Sequence, residues 1–183
     1  PASLTGFDSV FLCFGNVRDM GGKDYPFTSV EVMPVVDYLE SGGNLYLEGG
    51  SALGYYQRDN TELLDLLGMS IIDSGDDRDY YDALVGQDGT LCEDLVFDKT
   101  VQYPRHYIDR YAAAGTGQVT LSALNYGDVA VYNTGANGLK SFCTAYTLAG
   151  MRGDSNFNRP EMLLARILQF FDYPVIEAEF LIQ

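Results

Sequence analysis

The sequence has one histidine, His106, no tryptophan, and three cysteines, Cys13, Cys92 and Cys143, none in a C-x-x-C pair. One imidazole and dispersed thiols argue against a transition-metal cage, which needs several nitrogen and sulfur ligands at close spacing. The cysteines form no disulfide framework and read as buried free thiols, since two of them sit in apolar or β-like segments. Basic residues are also scarce, with 11 Lys and Arg against 26 Asp and Glu and a formal charge of −15. A nucleic-acid surface needs clustered cations, so none is expected. No apolar run approaches the roughly 20 residues that cross a bilayer, and no membrane insertion is expected.

What is present is a chain rich enough in apolar residues to fold. Hydrophobic residues make up 46% and aromatics 13% of 183 residues, which excludes disorder and suits one core. We read a single α/β domain over 1–183. The start, "PASLTGFDSV", lacks an initiating Met, a basic n-region and an apolar h-region, and so reads as the interior of a longer multidomain chain.

"DSVFLCFG", Asp8 to Gly15, is an apolar run closed by glycine and suits a strand buried in a parallel sheet. "TSVEVMPVVDYLESGG" follows with Val32, Val36 and Leu39 on one helical face, Thr28 and Glu31 at capping-box spacing, and a stop at Gly42-Gly43. Pro34 either kinks this helix or moves its start to about Met33. "NLYLEGG" reads as a second buried strand, "NTELLDLLG" as a short helix capped at Asn60 or Thr61, and "MSII" as a third strand. This rhythm predicts an open, mainly parallel sheet flanked by helices, with an antiparallel portion in the second half of the chain. "NRPEMLLARILQFFDY" closes it as an amphipathic helix, with Asn158 as cap and Pro160 in the first turn. A βαβ unit ahead of the first strand is expected to be missing, which leaves a sheet edge to be completed by other domains of the same parent protein or by a partner chain.

The stretch "LYLEGGSALG" offers a candidate nucleophile. A strand, two glycines and Ser51 resemble a nucleophile elbow, but G-x-S-x-x-G is one residue longer than the G-x-S-x-G that lets flanking backbones approach closely. His106 is the only histidine, and with Asp109 as its orienter Ser51, His106 and Asp109 form the hydrolase alternative. The competing reading is a glycine-rich bend at a strand end.

Taken together, "FDSVFLCFGN", "VVDYLESGGNLYLEGGSALG", "LLDLLGMSI", "LVGQDGTLCEDLVF", "YIDRY", "VAVYN", "LKSFCTAYTLAG" and "NRPEMLLARILQFF" resemble the class I glutamine-amidotransferase-like, flavodoxin-like α/β domains of large secreted bacterial proteins, especially Bacteroidota proteins with a type 9 secretion sorting domain. The resemblance runs from Phe7 to Tyr173. It implies an extracellular or cell-surface setting. The amidotransferase machinery does not carry over: Ser51 stands where that family has its Cys, and "AYTLAGMRGDSN" holds no histidine for a His-x-Glu pair. The resemblance therefore implies a scaffold without the ammonia-releasing site.

Two further sets of residues were weighed. "DSGDDRDYYD" gathers Asp73, Asp76, Asp77 and Asp79, oxygen ligands of the kind calcium takes, yet without an EF-hand register, so a solvated acidic loop is favoured. Calcium is the one cofactor these residues suggest; otherwise none is expected. Tyr55, Tyr56, Tyr80, Tyr81, Tyr103 and Tyr107 fall on expected loops where α/β ligand sites form and would suit a glycan or peptide. The reading favoured is a non-catalytic structural or partner-recognition module, with a serine hydrolase and a glycan- or calcium-dependent binding module as alternatives.

Overall fold

The computed structural model describes residues 3–15, 27, 29–75, 83–99, 107–153 and 158–174. Strand β1 (Ser9–Cys13) leads to helix α1 (Ser29–Glu40), strand β2 (Asn44–Glu48), helix α2 (Thr61–Leu67) and strand β3 (Met69–Asp73). Then come β4 (Ala83–Gly86), β5 (Val96–Lys99), β6 (Arg110–Ala113), β7 (Gln118–Ala123), β8 (Gly127–Thr134) and β9 (Lys140–Thr144). A 3₁₀ turn at Leu148–Gly150, the two-residue β10 (Met151–Arg152) and α3 (Pro160–Phe170) complete the order.

The local stops are chemical. Helix α1 buries Val32, Val35, Val36 and Leu39 at helical spacing and keeps Pro34 inside it. It ends where Gly42 takes φ +89°: Gly42 N–H donates to Leu39 O at 3.0 Å and Gly43 N–H to Tyr38 O at 3.1 Å, a Schellman closure. Gly43 has no alternative, because a Cβ there would run into the Tyr38 ring. The capping partner expected at Thr28 lies outside the described residues. Asn60 caps α2, its Oδ1 accepting from Leu63 N–H at 3.2 Å. Helix α3 starts after Arg159, not after Asn158. The Asn158 side chain instead accepts a hydrogen bond from Val96 N–H at 3.1 Å and ties the helix start to β5.

Eight strands form one sheet in the order β1-β2-β9-β8-β7-β4-β5-β10, and β3 pairs with β6 in a separate two-stranded ribbon. Within the large sheet only β1·β2 and β2·β9 are parallel; the other five pairings are antiparallel. The sheet curls into a half-barrel, helped by two register shifts between β7 and β8 that add local twist. The mainly parallel, helix-flanked sheet expected from the sequence is therefore corrected to a mixed, mostly antiparallel one, and the flavodoxin-like, amidotransferase-like resemblance falls with it.

The physical reason lies in β3. A central parallel strand must be buried on both faces, whereas β3 exposes Ser70 and Ile72 and buries Met69. Strand β9, with Ser141, Phe142, Cys143 and Thr144 all buried, takes the place beside β2. On the shared face Phe11, Tyr46 and Phe142 are register partners, with ring centroids 5.2 Å and 5.9 Å apart across the three strands. The opposite face carries Leu45, Leu47 and Cys143 into the core with α1 and α2.

Candidate functional site

The carboxyl ends of β1, β2 and β9 bring Cys13, Glu48 and Thr144 side by side. Glu48 is buried, and its Oε2 accepts from the Tyr46 hydroxyl at 2.6 Å and from Leu148 N–H at 2.7 Å. Residues two apart on a strand share a face, which is why Tyr46 reaches Glu48. Cys13 is exposed, unlike the buried thiol expected from the sequence, yet partial desolvation pushes its thiol from the ordinary 9.0 up to about 11, with the Glu48 charge and a hydrogen bond to Glu48 adding to it. Burial likewise raises Tyr46, and Glu48 raises it further. A thiol held protonated in this way is not a nucleophile near neutral pH. Cys92 and Cys143 are buried, and burial raises Cys92 to about 12 and Cys143 higher still.

Beyond Glu48 the chain enters the Gly49–Gln57 turn. Gly49 N–H donates to Thr144 O at 3.1 Å and Gly50 N–H to Gly15 O at 3.0 Å, so the turn is stitched to strand ends on both sides. A Cβ at Gly49 would sit 2.9 Å from the Cβ atoms of both Ala52 and Phe14. Gln57 N–H donates to Leu53 O at 2.9 Å, and the Gln57 side chain donates to Phe27 O at 2.8 Å. Asp109 closes the turn from above. Its N–H donates to Gly50 O at 2.7 Å, and its Oδ2 accepts from Gly54 N–H at 2.7 Å.

Ser51 lies inside this bracket, 3% exposed, and its Oγ has no hydrogen-bond partner among the described residues. Asp109 is fully buried on the same turn, bonded to backbone. His106 lies outside the described residues. The structure thus brings Asp109 against the turn that carries Ser51, its carboxylate accepting from Gly54 N–H and its own N–H donating to Gly50 O.

Of the acidic candidates, Asp73 pairs with Arg110 at 2.9 Å beside the register shift between β3 and β6, and Asp76, Asp77 and Asp79 lie outside the described residues. Among the described residues no group of three His, Cys, Asp or Glu is placed to hold a metal ion. Tyr55 and Tyr56 stack edge to face with centroids 4.7 Å apart, and Tyr55 is half exposed. Tyr107 is half-buried two residues before Asp109, so the bonds from Asp109 to Gly50 and Gly54 hold its segment against the turn that precedes Tyr55. Tyr80, Tyr81 and Tyr103 lie outside the described residues. Among the described residues no helix is long and apolar enough to cross a membrane.

The Cys13, Tyr46 and Glu48 cluster leaves only a faint mark in the sequence, because strand pairing assembles it. Its signal was a lone carboxylate in an apolar strand, two residues after a tyrosine and directly before Gly-Gly.

No protein-family model matches the chain, and no curated protein matches it in sequence. Solved structures do match its fold. A cold-adapted β-galactosidase from Rahnella sp. R3 matches at TM-score 0.59 and 11% identity over 94% of this chain. The chain spans 24% of that β-galactosidase. The IFT52 N-terminal domain matches at TM-score 0.60 and 15% identity, covering 94% of this chain and 80% of that one. Neither is a glutamine amidotransferase, and at these identities the likeness concerns the fold alone.

Proposed function

We propose that this domain works by contact, as a structural or partner-recognition module of a larger protein, and not by catalysis at Ser51. The observation that supports it is the closed turn. A nucleophile must be presented to substrate in a cleft, with a base in hydrogen-bond reach. Ser51 is instead buried within a turn whose Gly49, Gly50 and Gly54 backbone groups are bonded to Thr144, Gly15 and Asp109. The neighbouring thiol of Cys13 is held protonated beside Glu48. The occurrence of a similar fold as a quarter of a β-galactosidase chain is in keeping with a module that serves a larger assembly.

Turnover of p-nitrophenyl acetate and of a short anilide by the purified chain, beside Ser51→Ala, tests this reading. The module reading expects both proteins to match the buffer rate. Turnover that is lost in Ser51→Ala would establish the hydrolase instead.

A further inference from the structure

We propose that the outer edge of β1 is a docking site for an extended, basic segment of another polypeptide, which adds to the sheet as a ninth strand. The inference rests on the contact reading above and names where the contact is made. Among the described residues β1 pairs with β2 alone and forms one margin of the sheet. Phe14 N–H donates to Glu48 O at 2.8 Å, and main-chain direction alternates along a strand. Val10 and Leu12 therefore also face β2, and the N–H and C=O groups of Ser9, Phe11 and Cys13 face outward.

Exposed edges are normally blunted by lysine, proline, a bulge or an inward charge. "SVFLC" has none of these, and its pairing with β2 runs without a register shift. It exposes aromatic surface instead: Phe11 is 41% exposed and Phe7, just before the strand, 61%. The Phe11 ring rests on Tyr46 at 5.2 Å and on Phe171 at 6.2 Å, which makes a fixed apolar shelf beside the outward backbone groups. Strand addition uses this pairing of features, with main-chain hydrogen bonds for affinity and a side-chain contact for selectivity.

Charge chooses the occupant. A second copy of this chain would also carry a net charge of −15, and the repulsion between like-charged copies opposes self-pairing. Asp8 stands just before β1, and Asp172, just beyond α3, is largely exposed and paired with Lys140. A segment alternating apolar residues with Lys or Arg matches both the shelf and the field.

The test uses a synthetic fluorescein-labelled peptide of alternating valine and threonine with a central phenylalanine and lysines at both ends, beside a counterpart with glutamates in place of the lysines. Binding is read by fluorescence anisotropy and location by amide hydrogen exchange. The lysine peptide is expected to bind at least about tenfold more tightly than its counterpart at low salt. It should slow exchange at Ser9, Phe11 and Cys13 by at least about tenfold. Phe11→Pro, which deletes an outward N–H, and Phe11→Lys, which keeps the backbone and repels the peptide, should each weaken binding by about tenfold. Phe11→Lys keeps the test decisive if Phe11→Pro fails to fold. Absence of saturable binding, protection confined to other amides, or equal affinity for both variants and wild type would overturn the proposal. Binding elsewhere removes the edge site and leaves the contact reading standing, whereas Ser51-dependent turnover defeats the contact reading by a separate assay.

Discussion

Asp109 Oδ2 accepts the Gly54 N–H at 2.7 Å across a sequence separation of 55 residues, and the same aspartate gives its own N–H to Gly50 O. A fully buried carboxylate is tolerated only when it is bonded. Here the bond is to the backbone of the very turn that carries Ser51, so the residue that would orient a catalytic histidine holds the turn closed.

Removing this carboxylate leaves a buried amide without its acceptor. Asp109→Ala should lose about 2–3 kcal/mol of stability in urea denaturation, and Asp109→Asn, which keeps a carbonyl oxygen, should lose less.

Gly54 and Asp109 should be coupled. A Cβ at Gly54 would collide with Asp109 Oδ1, so Gly54→Ala should destabilise by about 2 kcal/mol or more. In the Asp109→Ala background the carboxylate obstruction is gone, and the contact with Ser74 Cα at 2.9 Å remains. The double mutant should then be less destabilised than the sum of the two single changes, a non-additivity that a double-mutant cycle measures.

At the end of β2, Tyr46→Phe removes the hydroxyl that donates to Glu48 and should cost about 2 kcal/mol, because a hydrogen bond to a charged group is lost in a buried place. The aromatic ladder stays intact in that variant, so a thermal shift without loss of secondary-structure signal is expected.

Cys13 supplies a pH dependence. Partial desolvation beside Glu48 raises its thiol in the fold to about 11, above the ordinary 9.0 of the unfolded chain. Between those values the unfolded chain has released a proton that the native one keeps. The contribution is therefore fully present below about 9 and is lost as pH rises through about 11. Alkylation by iodoacetamide at pH 8, read at Cys13 by mass spectrometry, should be about tenfold slower than for an unstructured thiol. Glu48→Gln should speed it severalfold, since it removes the adjacent charge.

The C-terminal stop of α1 and both ends of α2 were legible in the sequence because each depends on a few adjacent residues, whereas α3 begins after Arg159 and not at the expected Asn158 cap. Gly42 and Gly68 adopt φ of +89° and +67°, which few residues other than glycine take up, and Asn60 caps α2 by its own side chain. Strand pairing was not legible, because it depends on partners far away in sequence. "MSII" reads as the third strand of the sheet yet forms half of a separate ribbon, and the place beside β2 goes to β9, almost wholly buried. The turn around Ser51 could be placed from its glycines. The bracket could not, since nothing near Gly54 announces Asp109, and a hydrogen bond that holds the buried Glu48 comes from Leu148, 100 residues away.

Labelling with a fluorophosphonate, located by peptide mass spectrometry, tests most directly whether this turn is a closed bracket or an active site. Such reagents modify a serine that is both exposed and activated. The account predicts no adduct at Ser51 in the folded chain. A stoichiometric adduct at Ser51 that disappears in His106→Ala would contradict it and establish a working nucleophile and base.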